Sequence, residues 1–233
     1  MVWGESRQAA VPPRAPVAMM TSGAVRRLKA ALFVACLYPL ARLVWLGFDD
    51  GLSANPVEFI TRSTGTWTLV ALCITLGITP LRRLTGWHWL VRLRRMFGLY
   101  AFFYACLHFT TYLWLDQFFD LAGIIKDIIK RPFITVGFLA FVLMIPLAAT
   151  SSDGMIRRLG GKNWQRLHRT VYIIAACAVV HYWWLVKKDI TQPLIYALVV
   201  AALLLARAVF GFSRRHAARP VAQAAALARK PQP

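Results

Sequence analysis

Long apolar runs, separated by short and mostly basic connections, set the pattern of the chain from Ala30 to Phe210. Such runs are too apolar for an aqueous surface and too long for ordinary core strands, so they predict membrane-spanning helices. The first covers about Ala30–Phe48, with Arg42 inside it and Pro39 as the expected kink. The second covers about Thr66–Thr79, reaches back towards Phe59, and is expected to stop at Pro80. A third run, about Met96–Leu115, contains His108, and a fourth, about Phe133–Thr150, contains Pro146. Between them, Asp116–Pro132 mixes acids with apolar pairs and predicts a short helix lying in the membrane interface. The fifth run is Trp164–Leu185, whose middle, Thr170–Val180, carries no charge, Gly or Pro. The sixth covers about Leu194–Phe210. The expected fold class is therefore all-α, a polytopic membrane protein built as a six-transmembrane-helix bundle.

Composition sharpens this picture. Of the 233 residues, 58% are hydrophobic, above the usual 45–50% or so of soluble domains even when Gly is counted with them. The net charge of +19 would suit nucleic acid if the basic residues formed a stripe on a soluble face. They sit between apolar runs instead, which excludes nucleic acid as a partner and points to the positive-inside rule. With both ends and the loops 82–95 and 151–169 on one side, that side collects most of the 28 Lys and Arg. All nine acids except Glu5 and Asp153 then fall on the other side or within its loops. This arrangement predicts six spans with both termini cytoplasmic. Residues 1–24 are expected to be a disordered cytoplasmic tail, 25–212 the transmembrane domain, and 213–233 a basic cytoplasmic tail. Cys36, Cys73, Cys106 and Cys177 each lie in an apolar run, with no CxxC and no CxxCH, so covalent c-type haem attachment is excluded. They are expected to be small buried hydrophobes.

The candidate chemistry lies in the histidines. His108 and His181 both fall at or beyond the midplane of spans that run outward, and imidazoles at that depth mark an ion path, a proton relay or a metal. Two such imidazoles among apolar helices suit the axial positions of a haem b; the alternative for each is a helix-packing histidine hydrogen-bonded to a backbone carbonyl. His168 sits near the inner surface, where two readings stay open: a ligand to a second haem, or an interfacial side chain. The 13 steps from His168 to His181 leave an offset of about 140° on an ideal helix, so one straight helix does not point both the same way. His88 and His216 are expected to be solvated. Trp164, Tyr182, Trp183 and Trp184 are expected to be interface anchors.

Several stretches carry a family resemblance: ITPLRR (Ile78–Arg83), RLRRMFGLYAFFYACLHFTTY (Arg92–Tyr112), RPFITVG (Arg131–Gly137), ATSSDGMIRRLGGKNWQRLHRTVYIIA (Ala149–Ala175), HYWWLVK (His181–Lys187) and QPLIYA (Gln192–Ala197). In collinear order over about residues 25–210, they resemble the haem-binding membrane subunit of the bacterial periplasmic methionine sulfoxide reductase system, the MsrQ family. That family falls within a wider ferric-reductase-like transmembrane group that includes the NADPH oxidases. The resemblance implies a cytochrome b-like bundle with haem b held by His108 and His181, and His168 as a further candidate ligand. It also implies FMN, and electron delivery to a periplasmic molybdopterin enzyme that reduces methionine sulfoxide in oxidised proteins.

The chain departs from the wider group at one point. Oxidases and ferric reductases carry a second histidine 13 or 14 residues before the outer one on the third span; here those positions are Arg95 and Arg94. Neither arginine ligates iron, but guanidinium groups bind phosphate well. Arg94 and Arg95 are therefore candidates for holding FMN or a quinol, with positive-inside charge against lipid headgroups as the alternative. No GxGxxG and no soluble dinucleotide domain are present, so the donor is expected to be a separate cytoplasmic flavin reductase or quinol. Two other readings are a stand-alone ferric or cupric reductase of the same architecture, and a proton-coupled transporter using the three histidines as a relay.

Overall fold

The computed structural model describes residues 20–228 apart from residue 187, with side chains as far as residue 212. The first 19 residues of the expected N-terminal tail, and the last five of the chain, lie outside the described residues. The elements are α1 (Ser22–Ala35), α2 (Tyr38–Phe48), α3 (Pro56–Thr85), α4 (Val91–Thr111), α5 (Leu121–Lys130), α6 (Pro132–Ala149), α7 (Asp153–Leu159), α8 (Gly161–His168), α9 (Val171–Leu185) and α10 (Thr191–Ala228). A single 3₁₀ turn precedes α4, and a π-helical turn, Tyr112–Asp116, extends it. There is no strand among the described residues.

Five segments are long and apolar enough to cross a membrane: α1 with α2, α3, α4 with its flanking turns, α6, and α10 as far as Phe212. The chain is thus a multi-pass helical membrane protein. The expected fifth span differs. Trp164–Leu185 is not one helix but two, α8 and α9, broken at Arg169 and Thr170. At the break the Thr170 amide and hydroxyl both bond the Leu167 carbonyl, at 3.0 and 2.8 Å, which tightens the turn and takes that carbonyl out of the α-helical ladder. α9 alone has 15 residues, short of the roughly 20 that a full crossing needs. It still packs in the bundle, against α6 and α10 and, less extensively, α3. The phase mismatch between His168 and His181 disappears with the break, because the two stand on different helices.

Prolines shape the other helices in ways that side chains complete. The first span breaks at Cys36–Leu37, just before Pro39. The carbonyls of Phe33 and Cys36 there accept the hydroxyls of Tyr100 and Tyr104, at 2.8 and 2.6 Å, from consecutive turns of α4. Pro80 does not end its helix, as its chemistry alone would suggest; α3 runs through it to Thr85. Pro80 has no N–H to give to the carbonyl four residues back, that of Leu76. Arg207 of α10 supplies the missing donors through Nε (3.1 Å) and Nη2 (2.8 Å), and Nη1 reaches the Tyr172 hydroxyl at 3.0 Å. An arginine within an apolar helix is expensive unless its donors are satisfied; here a proline-orphaned carbonyl and a tyrosine satisfy it.

The core runs through the middle of the bundle, where Leu69, Leu72 and Leu76 of α3 meet Met96, Phe97, Tyr100 and Tyr104 of α4 and Ile174 of α9. One end carries the arginine-rich connections around Arg82–Arg95 and Arg157–Arg169; the other carries Asp49, Asp50, Glu58, Asp116, Asp120 and Asp127. At that acidic end α5 buries Ile124 and leaves Leu121, Ile125 and Ile129 exposed at four-residue spacing, the unpartnered apolar stripe of a helix suited to an interface.

Candidate functional site

Two helices bring His108 (α4) and His181 (α9) together towards the acidic end. Their ring centroids are 6.1 Å apart and the rings are nearly perpendicular, at 80°. Each imidazole is pinned by its Nδ1 to a main-chain carbonyl of a third helix. His108 Nδ1 lies 2.9 Å from the Thr61 carbonyl of α3, and His181 Nδ1 lies 2.7 Å from the Phe133 carbonyl of α6. A carbonyl only accepts, so each Nδ1 carries the proton and each neutral ring keeps its lone pair on Nε2.

The two pins share one local design. In a helix the Cβ of residue i+4 leans back towards the carbonyl of residue i and normally covers it. Four residues after Thr61 stands Gly65, and four residues after Phe133 stands Gly137. A Cβ at Gly65 would lie 3.1 Å from His108 Nδ1; one at Gly137 would lie 2.6 Å from His181 Nδ1. The glycines therefore open each carbonyl to its imidazole.

Both histidines line a cavity of about 720 Å³, within the range of cofactor sites. Its body is apolar, with Leu69, Leu72, Phe141, Met144 and Ile174, and its mouth is polar, with Asn55, Glu58, Arg62, Asp116 and Arg131. The donor set fits a haem. A metal–imidazole bond is about 2.0–2.1 Å, and two of them plus about 1 Å from each nitrogen to its ring centre give roughly 6 Å. No cluster of three or more His, Cys, Asp or Glu able to hold a bare metal ion exists among the described residues. Two imidazoles alone suit a metal whose other ligands come from a macrocycle.

His168 is placed elsewhere. It ends α8, stacks on Trp164 at 3.9 Å, and its Nε2 lies 3.0 Å from the Thr150 hydroxyl. That hydroxyl gives its own proton to the Pro146 carbonyl at 2.6 Å, so Nε2 is the donor. Trp164 Nε1 donates to the Thr150 carbonyl at 2.9 Å. These contacts latch α8 onto the last turn of α6, and neither His108 nor His181 takes part.

The adjacent arginines also part company. Arg95 Nη2 pairs with Asp153 Oδ1 at 2.5 Å, which ties α7 to α4, and the guanidinium holds the exposed Asp153 carboxyl below the usual carboxylate range. Arg94 is half-buried and makes no hydrogen bond or ion pair among the described residues, although Arg207 and Arg82 lie within electrostatic reach. Reading side chains alone picked out the histidines and the arginines but missed Thr61, Gly65, Phe133 and Gly137, which act through a carbonyl or through the absence of a Cβ. The only signal for them was a glycine inside each of two apolar helices.

The architecture and the buried histidine pair define a ferric-reductase-like transmembrane protein, and residues 60–179 match the family model described as the ferric reductase like transmembrane component. Similar proteins named "protein-methionine-sulfoxide reductase heme-binding subunit MsrQ" include that of Herminiimonas arsenicoxydans, 60% identical over 190 residues, covering 81% of this chain and 87% of the relative. That of Bordetella pertussis is 57% identical over 206 residues, 88% of this chain and 100% of the relative. That of Rhodospirillum rubrum is 50% identical over 208 residues, 86% and 99%. The chain belongs to the MsrQ family.

Proposed function

We propose that this chain is the haem b-carrying membrane subunit of a methionine sulfoxide reductase system. It takes electrons from the cytoplasmic side of a bacterial inner membrane and passes them to a periplasmic molybdopterin-containing catalytic subunit that repairs oxidised proteins. The observation that carries this reading is the converging His108–His181 pair, with both Nδ1 protons committed to carbonyls and both Nε2 lone pairs left over. Pinning by a backbone carbonyl fixes tautomer and ring orientation and raises the basicity of a metal-binding imidazole. Haem b supplies one-electron redox chemistry when bound. The chain's own groups orient that cofactor, exclude water through the apolar wall, and hold it towards the acidic, periplasmic end. The sulfoxide itself is turned over by the partner, so the chain is a relay.

The basic end favours a cytoplasmic location for both tails, residues 1–24 and 213–233, around the domain at 25–212. Electrons enter there from a flavin reductase or a quinol. With Arg95 engaged by Asp153, Arg94 is the guanidinium left to receive the phosphate of FMN, and His168 latches α8 beside it. The description of the matched family favours one second reading, a stand-alone ferric reductase. The named relatives, matched over 81–88% of this chain, favour the subunit. The test is the purified protein in liposomes, assayed for haem-to-protein ratio, flavin content, and reduction by a flavin reductase with reduced nicotinamide. Haem-loaded protein that reduces the partner but not ferric chelates supports the proposal. Haem-free protein, or ferric reduction that needs no partner, overturns it.

A further inference from the structure

We infer that Arg62 and Arg131 form a two-sided carboxylate clamp at the mouth of the histidine cavity, and that it fixes the edge of an amphipathic dicarboxylate cofactor. This rests on the haem reading above, since the two propionates are the carboxylates of haem b. Each pin has one arginine close to it in the chain. On α3, Arg62 follows Thr61, whose carbonyl holds His108; at the start of α6, Arg131 comes two residues before Phe133, whose carbonyl holds His181. Both arginines line the cavity, on its polar side. From Gly65 back to Arg62 is about 4.5 Å of helix rise, and from Gly137 back to Arg131 about 9 Å, both towards the acidic end. Each flexible guanidinium then has a cofactor edge within its span while the apolar body holds the macrocycle.

Each arginine has one acidic neighbour a helical turn away and keeps guanidinium donors to spare. Arg62 pairs with Glu58 at 2.7 Å, one helical turn away, with both side chains at least half exposed. Arg131 offers Nε to Asp127 at 3.2 Å and keeps its two Nη groups free of any hydrogen bond among the described residues. The exposed Arg62–Glu58 pair is weak, and the largely buried Asp127 engages Arg131 only through Nε, whereas guanidinium–carboxylate forks against a cofactor edge are stronger and directional. Glu58 and Asp116 also line the mouth. An edge without cation partners would meet only negative charge there, so the two arginines decide whether a dicarboxylate is accepted.

The test uses the full chain, depleted of haem and reconstituted with haem b or with its dimethyl ester, in which both carboxylates are blocked. Wild type should retain haem about tenfold better than the diester, the scale of losing one charge-assisted bond. Arg62→Gln and Arg131→Gln should each weaken haem retention by several-fold and leave diester retention unchanged. Arg62→Lys and Arg131→Lys should recover part of the loss. The same variants should shift the haem midpoint potential while the low-spin spectrum stays intact. A wild type that holds haem and diester equally well, or glutamine variants that weaken both to the same extent, would overturn the clamp. A wild type that takes up neither compound would instead overturn the haem reading, which keeps the two failures distinct.

Discussion

The glycine beside each pinned imidazole permits a graded test. In Gly137→Ala the new Cβ would stand 2.6 Å from His181 Nδ1 and 2.8 Å from Cε1, where ordinary contact starts near 3.4 Å. The ring must retreat by about 0.8 Å, which stretches the 2.7 Å bond to the Phe133 carbonyl to as much as about 3.5 Å. In Gly65→Ala the corresponding distance is 3.1 Å, so a shift of about 0.3 Å takes the 2.9 Å bond of His108 only to about 3.2 Å, still a normal bond. Losing such an orienting partner typically costs about 10–100-fold in metal affinity. Gly137→Ala should therefore weaken haem binding by that amount, and Gly65→Ala by less than about threefold. Alanine favours a helix over glycine by about 1 kcal/mol, so both variants should be at least as helical as wild type. Haem titration of the depleted protein, with circular dichroism as the control, reads the result. Wild-type affinity in Gly137→Ala, or a larger loss in Gly65→Ala, would refute the pinning argument.

Other expectations follow from the same geometry. Arg207→Met leaves the Leu76 carbonyl and the Tyr172 hydroxyl without donors, and should cost about 1–3 kcal/mol in thermal unfolding with little change in the haem spectrum; unchanged stability would mean that Pro80 is tolerated in some other way. Arg94→Gln should weaken FMN-dependent reduction about tenfold, as loss of a charge-assisted phosphate contact would, whereas Arg95→Gln should leave it near wild type, and equal effects would refute the division of roles. His168→Ala should spare the haem spectrum while increasing protease cleavage near Gly160, and haem loss equal to that of His181→Ala would give it a ligand's role. A periplasm-dependent reporter should be active after Gly51 or Lys188 and silent after Arg83 or Gly160; the reverse pattern would invert the electron path.

The hydrophobic pattern carried most of the fold, because lipid leaves a backbone few solutions other than the helix. It failed where side chains override local preference. Pro80 looks like a stop until Arg207, 127 positions later in the chain, takes over the carbonyl that Pro80 abandons. Thr170 breaks Trp164–Leu185 by bonding the Leu167 carbonyl, a competition that hydropathy does not register. The histidine pair was legible because an imidazole deep in an apolar run is costly. Its supports were not, since Thr61 and Phe133 contribute only carbonyls, and Gly65 and Gly137 contribute space. Arg94 and Arg95 look equivalent as neighbours in a basic loop, yet one faces Asp153 and the other does not.

The central claim is that His108 and His181 hold one haem iron between them through Nε2. Low-temperature electron paramagnetic resonance of the oxidised protein, recorded for wild type, His108→Ala and His181→Ala with and without added imidazole, tests it most directly. A low-spin bis-imidazole signal in wild type should be lost in each variant and return when free imidazole occupies the vacated position. A low-spin signal that persists unchanged in either variant without imidazole would contradict the claim.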